Sequence, residues 1–203
     1  MDIYQHDKAF REIGFKFIAG IDEAGRGPLA GPVVASAVIL PADLRIAGLR
    51  DSKKVPEKER ASLFWDILLS SLYIGVGIVE HDEIDRINIL QATRLAMEKA
   101  VADLCIIPDA LIIDAVALPS VSIKQFSIIK ADSKSASVAA ASLIAKHTRD
   151  MIMLRYHSQY PEYNFNKHKG YCTEEHLRLL NFHGPCSIHR KSFRKVMELL
   201  LPF

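Results

Sequence analysis

Cysteine is scarce in this chain. Its 203 residues hold three: Cys105, Cys172 and Cys186. The number is odd, the spacing is wide and no Cys-x-x-Cys pair occurs, which argues against a disulfide framework and against a zinc site. A reducing cytoplasm is therefore the expected setting. Long apolar runs are also missing, and none approaches the length that spans a bilayer. The opening Met1-Asp2-Ile3-Tyr4-Gln5-His6-Asp7 lacks the basic start and apolar core of a secretory signal. No internal repeat and no low-complexity tract is present. What remains is an ordinary globular balance, 49% hydrophobic and 25% charged, in a length that suits one domain with a full core.

The net charge of +2 conceals an asymmetry. Between residues 146 and 195 there are ten Lys and Arg against four Asp and Glu, a local excess of +6, and six of the eight histidines. The same stretch holds Tyr156, Tyr160, Tyr163, Phe165, Tyr171, Phe182 and Phe193. Cations interleaved with aromatic rings suit a nucleic-acid surface, with charge for phosphates and rings for sugars or bases. A solvated basic helix face with its aromatics in the core is the alternative.

Apolar periodicity sets out an α/β order. Residues 15–21, 32–40, 72–79, 110–113 and 123–129 read as strands. Residues 56–71 and 82–104 read as helices, the first with Pro56 near its start. Ser133 or Ser135 caps a long helix through Ala139, Leu143, Met151 and Leu154. Two further helices are expected over 173–182 and 190–200. Residues 1–157 then form the main core, and 158–203 a helical substrate-binding extension of the same domain.

The segment with most chemical content is Gly20-Ile21-Asp22-Glu23-Ala24-Gly25-Arg26-Gly27-Pro28. Paired carboxylates at a strand end can hold a hard divalent cation, which prefers oxygen ligands. The Gly-Arg-Gly turn lets backbone N–H groups and a fixed cation approach a phosphate. Together these suggest metal-assisted phosphodiester chemistry. Asp114 and Asp132 occupy the same kind of position as Asp22, at or just past the end of an apolar strand. In an open α/β sheet, ligands gather outside such ends. Any one of these acids alone is more often structural, and Asp132 reads also as a helix cap. Glu23 joins Asp22 at one site only if the strand has already turned, because neighbouring strand side chains point to opposite faces. Lys53, Lys54, Lys146 and Arg149 are candidate phosphate contacts.

Six motifs in order resemble the type 2 ribonuclease H, or ribonuclease HII, family. They are Asp22-Glu23-Ala24-Gly25-Arg26-Gly27-Pro28, Asp51-Ser52-Lys53-Lys54, Asn88-Ile89-Leu90-Gln91-Ala92-Thr93, Asp132-Ser133-Lys134-Ser135, His168-Lys169-Gly170-Tyr171 and His189-Arg190-Lys191-Ser192-Phe193. The resemblance implies a ribonuclease H-like fold: a central mixed five-stranded sheet flanked by helices, with a C-terminal helical extension. It implies hydrolysis of the RNA strand of RNA–DNA hybrids. It also implies incision on the 5′ side of single ribonucleotides in duplex DNA, leaving 3′-hydroxyl and 5′-phosphate ends. Roles in DNA repair and in primer removal during replication follow. Asp22, Glu23, Asp114 and Asp132 would be catalytic ligands of Mg²⁺ or Mn²⁺. Gly25, Arg26 and Gly27 would contact the 2′-hydroxyl and flanking phosphates, and Tyr171 would read the RNA-to-DNA junction. A monomer free of membranes is expected. Two positions depart from the family pattern, which usually has glycine where Ala115 and Ala131 stand; alanine strains the loop if either position needs a positive φ. A structure-specific DNA nuclease on the same fold and a hybrid-binding protein that does not cut are the competing readings.

Overall fold

In a computed structural model, residues 2–50, 52 and 55–200 are described. Five strands form one sheet: β1 (Ile18–Ala24), β2 (Val33–Ile39), β3 (Tyr73–Val79), β4 (Ala110–Asp114) and β5 (Lys124–Ile128). Their order is β3-β2-β1-β4-β5. The β1–β2 and β2–β3 pairs are antiparallel, while β1–β4 and β4–β5 are parallel. The expected mixed five-stranded α/β architecture is therefore present.

The helices α1 (Ile3–Glu12), α2 (Glu57–Ser70), α3 (His81–Ile87), α4 (Ile89–Ala102) and α5 (Ala136–Gln159) flank this sheet. β2 is buried throughout and β1 everywhere but at Glu23, so each needs apolar cover on two sides. On one face Ala19, Ile21, Val33 and Ala35 pack with Ala92, Ala96, Met97 and Ala100 of α4. On the other, Val38 and Leu40 pack with Leu63 and Ile67 of α2 and with Ala139, Ala140 and Leu143 of α5. The alanines of α4 and α5 let both helices lie close to the sheet. Three short helices follow, α6 (Phe165–His168), α7 (Glu174–His183) and α8 (Arg194–Leu200). They enclose a separate apolar cluster of Leu29, Ala30, Met153, Tyr163, Phe165, Leu180, Ile188 and Val196. Because Leu29 and Ala30 belong to it, the C-terminal segment is packed directly on the loop between β1 and β2. Among the described residues no helix is long and apolar enough to cross a membrane.

Several elements differ from the sequence reading: it does not include α1, and the last helix begins at Arg194 rather than at 190. β1 runs on to Ala24, with Asp22 opposite Ser36 and Glu23 opposite Ala35, so both acids lie inside the paired strand. The helix expected over 82–104 is two helices. Asn88 breaks it with φ 70° and ψ 163°, and its Oδ1 accepts from the N–H groups of Leu90 and Gln91 to start α4. The first helix, α1, is short and polar on average, but Asp2 caps it and Ile3, Tyr4 and Phe10 on one side pack against the core. It is fixed from outside by buried Asp7, which accepts from Ser137 N–H at 2.8 Å and Ser137 Oγ at 2.7 Å at the start of α5. Ser135 rather than Ser133 caps α5, accepting from Val138 N–H at 3.3 Å.

Candidate active site

Asp22, Glu23 and Asp114 line one cavity of about 400 Å³, with Gly25, Arg26, Gly27, Lys146 and Tyr171 around the same wall. Parallel pairing of β1 with β4 brings the ends carrying Asp22 and Asp114 side by side. Asp132 does not line this cavity. It is buried in the 3₁₀ turn Ala131–Ser133, which is tied to Asp114 through a 3.2 Å bond from Ala131 N–H to Asp114 Oδ1. Glu23 does share the cavity with Asp22 although β1 is still paired there. Asp22 Oδ1 accepts from Glu23 N–H at 2.8 Å, and Arg26 Nη1 donates to Glu23 Oε1 at 3.2 Å.

The electrostatics are those of a site with surplus negative charge. Burial pushes the Asp22 carboxyl well above the ordinary carboxylate range, helped by the charges of Glu23 and Asp114 and opposed by a hydrogen bond from Ser142. Burial also raises Glu23, with Arg26 offsetting part of the effect. Glu23 Oε2 is buried with no hydrogen-bond partner. An orphaned buried carboxylate oxygen beside two further acids fits a hard cation. Among the described residues no three His, Cys, Asp or Glu side chains form a ready-made metal shell, so these acids surround a space rather than close on a point.

The Gly25–Arg26–Gly27 turn is held from beneath by two fully buried arginines. Arg190 donates through Nη2 to Gly25 O (2.7 Å) and Pro32 O (3.1 Å), through Nη1 to Arg26 O (3.1 Å) and through Nε to Gly31 O (2.9 Å). Arg149 donates to the carbonyls of Pro32, Ala30 and Lys169. Burial lowers both guanidinium groups, to about 9 for Arg190 and about 10 for Arg149, which leaves them charged at neutral pH. With the loop carbonyls turned inward, the N–H groups of Gly25, Arg26 and Gly27 find no acceptor among the described residues. Gly25 is required by the protein itself: its φ is +98°, and a Cβ there would sit 2.2 Å from Arg149 Nε. Gly27 is different, for a Cβ there would meet nothing within 4 Å.

Arg149 corrects a sequence-based expectation. It is not a phosphate contact, because its donors are spent on main-chain carbonyls in the interior. Its guanidinium carbon lies 5.6 Å from the centre of the Tyr171 ring, as does Lys146 Nζ, so the two cations flank the phenol. Lys146 lines the cavity and pairs with Asp150 at 2.7 Å. Lys53 and Lys54 lie outside the described residues. Four cavity or supporting residues escaped the sequence reading. Arg60 of α2 lines the cavity and meets Asp150 at 3.2 Å, but nothing in its local sequence marks it. Ser52 and Ser142, joined at 2.7 Å, lie within or beside quoted motifs that gave no role for them. Arg190 stood in plain view after His189, and only its burial shows what it does.

The glycine loop, the acids and the flanking tyrosine can be compared with known proteins. The family model described as "Ribonuclease HII" matches residues 19–196. The chain belongs to the ribonuclease HII family. Ribonuclease HII of Acetivibrio thermocellus is 53% identical over 190 residues, covering 94% of this chain and 74% of the relative. That of Bacillus subtilis is 51% identical over 198 residues, covering 98% and 77%. Among solved structures, ribonuclease H2 from Pyrococcus horikoshii OT3 superposes with a TM-score of 0.77 at 25% identity, covering 91% of this chain and 97% of that one. The ribonuclease HII of the Archaeoglobus fulgidus PCNA complex gives 0.75 at 26%, covering 88% and 96%. As a member of that family the chain is a hydrolase, an endoribonuclease acting on RNA–DNA hybrids.

Proposed function

We propose that the enzyme incises 5′ of single ribonucleotides embedded in duplex DNA, as well as cutting the RNA strand of hybrids, with Mg²⁺ or Mn²⁺. One observation carries this reading: three carboxylates, the Gly25–Arg26–Gly27 turn, and a half-exposed tyrosine share a single cavity. Asp22, Glu23 and Asp114 would hold the cation, and Asp132, in the buried turn tied to Asp114, would be the fourth acid. When bound, a divalent ion supplies Lewis-acid stabilisation of phosphoryl charge and a lowered pKa for an attacking water. The rest is done by the chain. The N–H groups of Gly25, Arg26 and Gly27, in the cavity wall, would meet a phosphate or 2′-hydroxyl. The Tyr171 phenol can donate to and accept from a 2′-hydroxyl, the group that separates RNA from DNA. Lys146 and Arg60 face the backbone phosphates. Ends bearing a 3′-hydroxyl and a 5′-phosphate would suit onward use by a polymerase, in keeping with a role in ribonucleotide excision repair and primer removal; a cytoplasmic monomer is part of the same proposal.

Asp22→Asn or Asp132→Asn tests the assignment of the acids. Cleavage is expected to vanish while binding to a hybrid, measured by fluorescence anisotropy, survives. Turnover near the wild-type rate in either variant removes that acid from the site.

A further inference from the structure

Three histidines are buried in the C-terminal segment, and the chemistry above uses none of them: His168, His176 and His189. They pack around Phe165, with His168 stacked on His176 at 4.3 Å between ring centres. Their partners determine where each proton sits. The Tyr171 carbonyl can only accept, so His176 Nδ1, 2.9 Å away, holds a proton. Burial holds His176 down to about 4, so its ring is neutral and Nε2 is a bare lone pair. His189 Nε2 lies 3.1 Å from that lone pair and therefore donates to it. His189 is likewise neutral, pushed down to about 3 by burial and by the neighbouring His176. Its Nδ1 is then the acceptor, and Cys186 N–H donates to it at 3.0 Å. His168 closes the set: Gly170 N–H donates to its Nδ1 at 3.2 Å, and its Nε2–H donates to Tyr163 O at 2.8 Å. One consistent assignment of protons runs from Cys186 through His189 and His176 to the main chain of Tyr171.

This chain of rings joins both substrate-facing elements. The main chain of His189 forms an isolated β-bridge with Ala30, Gly31 N–H donates to Ile188 O at 2.9 Å, and Leu29 N–H donates to Gly170 O at 2.8 Å. A shift of His176 or His189 therefore moves the Tyr171 turn against the loop that bears Gly25–Arg26–Gly27. We propose that His176 and His189 are positioning residues for Tyr171: their paired neutral tautomers fix its main chain, hence the phenol in the cavity wall, and so set the preference for a lone ribonucleotide over a continuous RNA strand. The proposal rests on the reading of Tyr171 as the group that meets the 2′-hydroxyl.

The readout is the ratio of single-ribonucleotide incision to long-hybrid cleavage, measured as kcat/KM for each. Tyr171→Ala and His176→Leu are both expected to lower this ratio, the latter about tenfold, the effect of one lost hydrogen bond to a buried partner. His176→Asn keeps an N–H donor near the place of Nδ1 and is expected to recover most of the ratio. A lowered ratio in Tyr171→Ala with an unchanged ratio in folded His176→Leu overturns the positioning role alone. An unchanged ratio in Tyr171→Ala overturns the reading of Tyr171, and the link from the histidines to specificity falls with it. Nitrogen-detected NMR of the wild-type histidines decides independently of whether the leucine variant folds. His176 protonated at Nδ1 and His189 at Nε2 is the expected spectrum at neutral pH; a charged ring or reversed tautomers in either overturns the proposal.

Discussion

Ala115 follows Asp114 directly and holds a φ of 55°. For a residue with a Cβ, that left-handed conformation costs roughly 1–2 kcal/mol. Ala115 is exposed, so its methyl group adds little packing to offset the strain. Glycine adopts this φ freely but loses about 0.5–1 kcal/mol of extra chain entropy on folding. Ala115→Gly is therefore expected to stabilise the protein by about 0.5–1 kcal/mol, a rise of about 2 °C in Tm for a chain of this size. Ala131 is the control. It does not have a positive φ and is fully buried in the 3₁₀ turn before α5. Ala131→Gly loses a buried methyl and gains chain entropy to be lost, so it is expected to destabilise by about 1–2 kcal/mol. Urea unfolding of both variants at neutral pH, without divalent ions, measures the two effects. Opposite signs support the assignment of strain to Ala115 alone; destabilisation by Ala115→Gly, or stabilisation by Ala131→Gly, refutes it.

Gly27→Ala is expected to fold with unchanged Tm, since its Cβ meets nothing in the protein, yet to weaken hybrid binding about tenfold or more by occupying the space a substrate needs; binding at the wild-type level places the substrate elsewhere. Arg190→Met leaves the carbonyls of Gly25, Arg26 and Gly31 without their side-chain donor, while Pro32 O keeps Arg149, and is expected to cost about 3 kcal/mol or more in urea unfolding, with cleavage lost. An effect below about 1 kcal/mol would mean that the turn holds its own shape. Because His176 and His189 resist protonation in the fold but take up protons near 6.5 when unfolded, the unfolded state binds more protons below that pH. Their contribution to stability is complete above about pH 6.5 and falls as pH drops toward 4, by up to about 1.4 kcal/mol per pH unit for each ring. Asp22, raised in the fold, works in the opposite sense. A urea midpoint that falls on acidification, and falls less in His189→Gln, is expected; no difference between the two profiles contradicts it.

Much of the fold was legible because local and global signals agree. The strands with strict apolar runs, such as Val33–Ile39 and Tyr73–Val79, lie within a residue or two of where the pattern places them. Pro56 and Thr173 mark helix starts as their chemistry requires. What was hidden depended on contacts distant in sequence. Nothing near Asn88 shows that the chain must break there, and where α1 docks depends on the Asp7–Ser137 bonds and on the packing of Ile3, Tyr4 and Phe10. At the site, residue types at strand ends and the glycine turn marked the acids and the loop, since those demands are local. The two arginines were read the wrong way round or passed over, because a buried guanidinium and an exposed one have the same letter. Only the fold shows that Arg149 and Arg190 face carbonyls.

A labelled DNA duplex carrying one ribonucleotide, incubated with the protein and Mg²⁺, Mn²⁺ or a chelator, tests metal-dependent ribonucleotide recognition most directly. The predicted result is a single cut on the 5′ side of the ribonucleotide, absent with the chelator and absent from an all-DNA duplex. No cut by folded protein with either metal, or equal cutting of the all-DNA duplex, contradicts it.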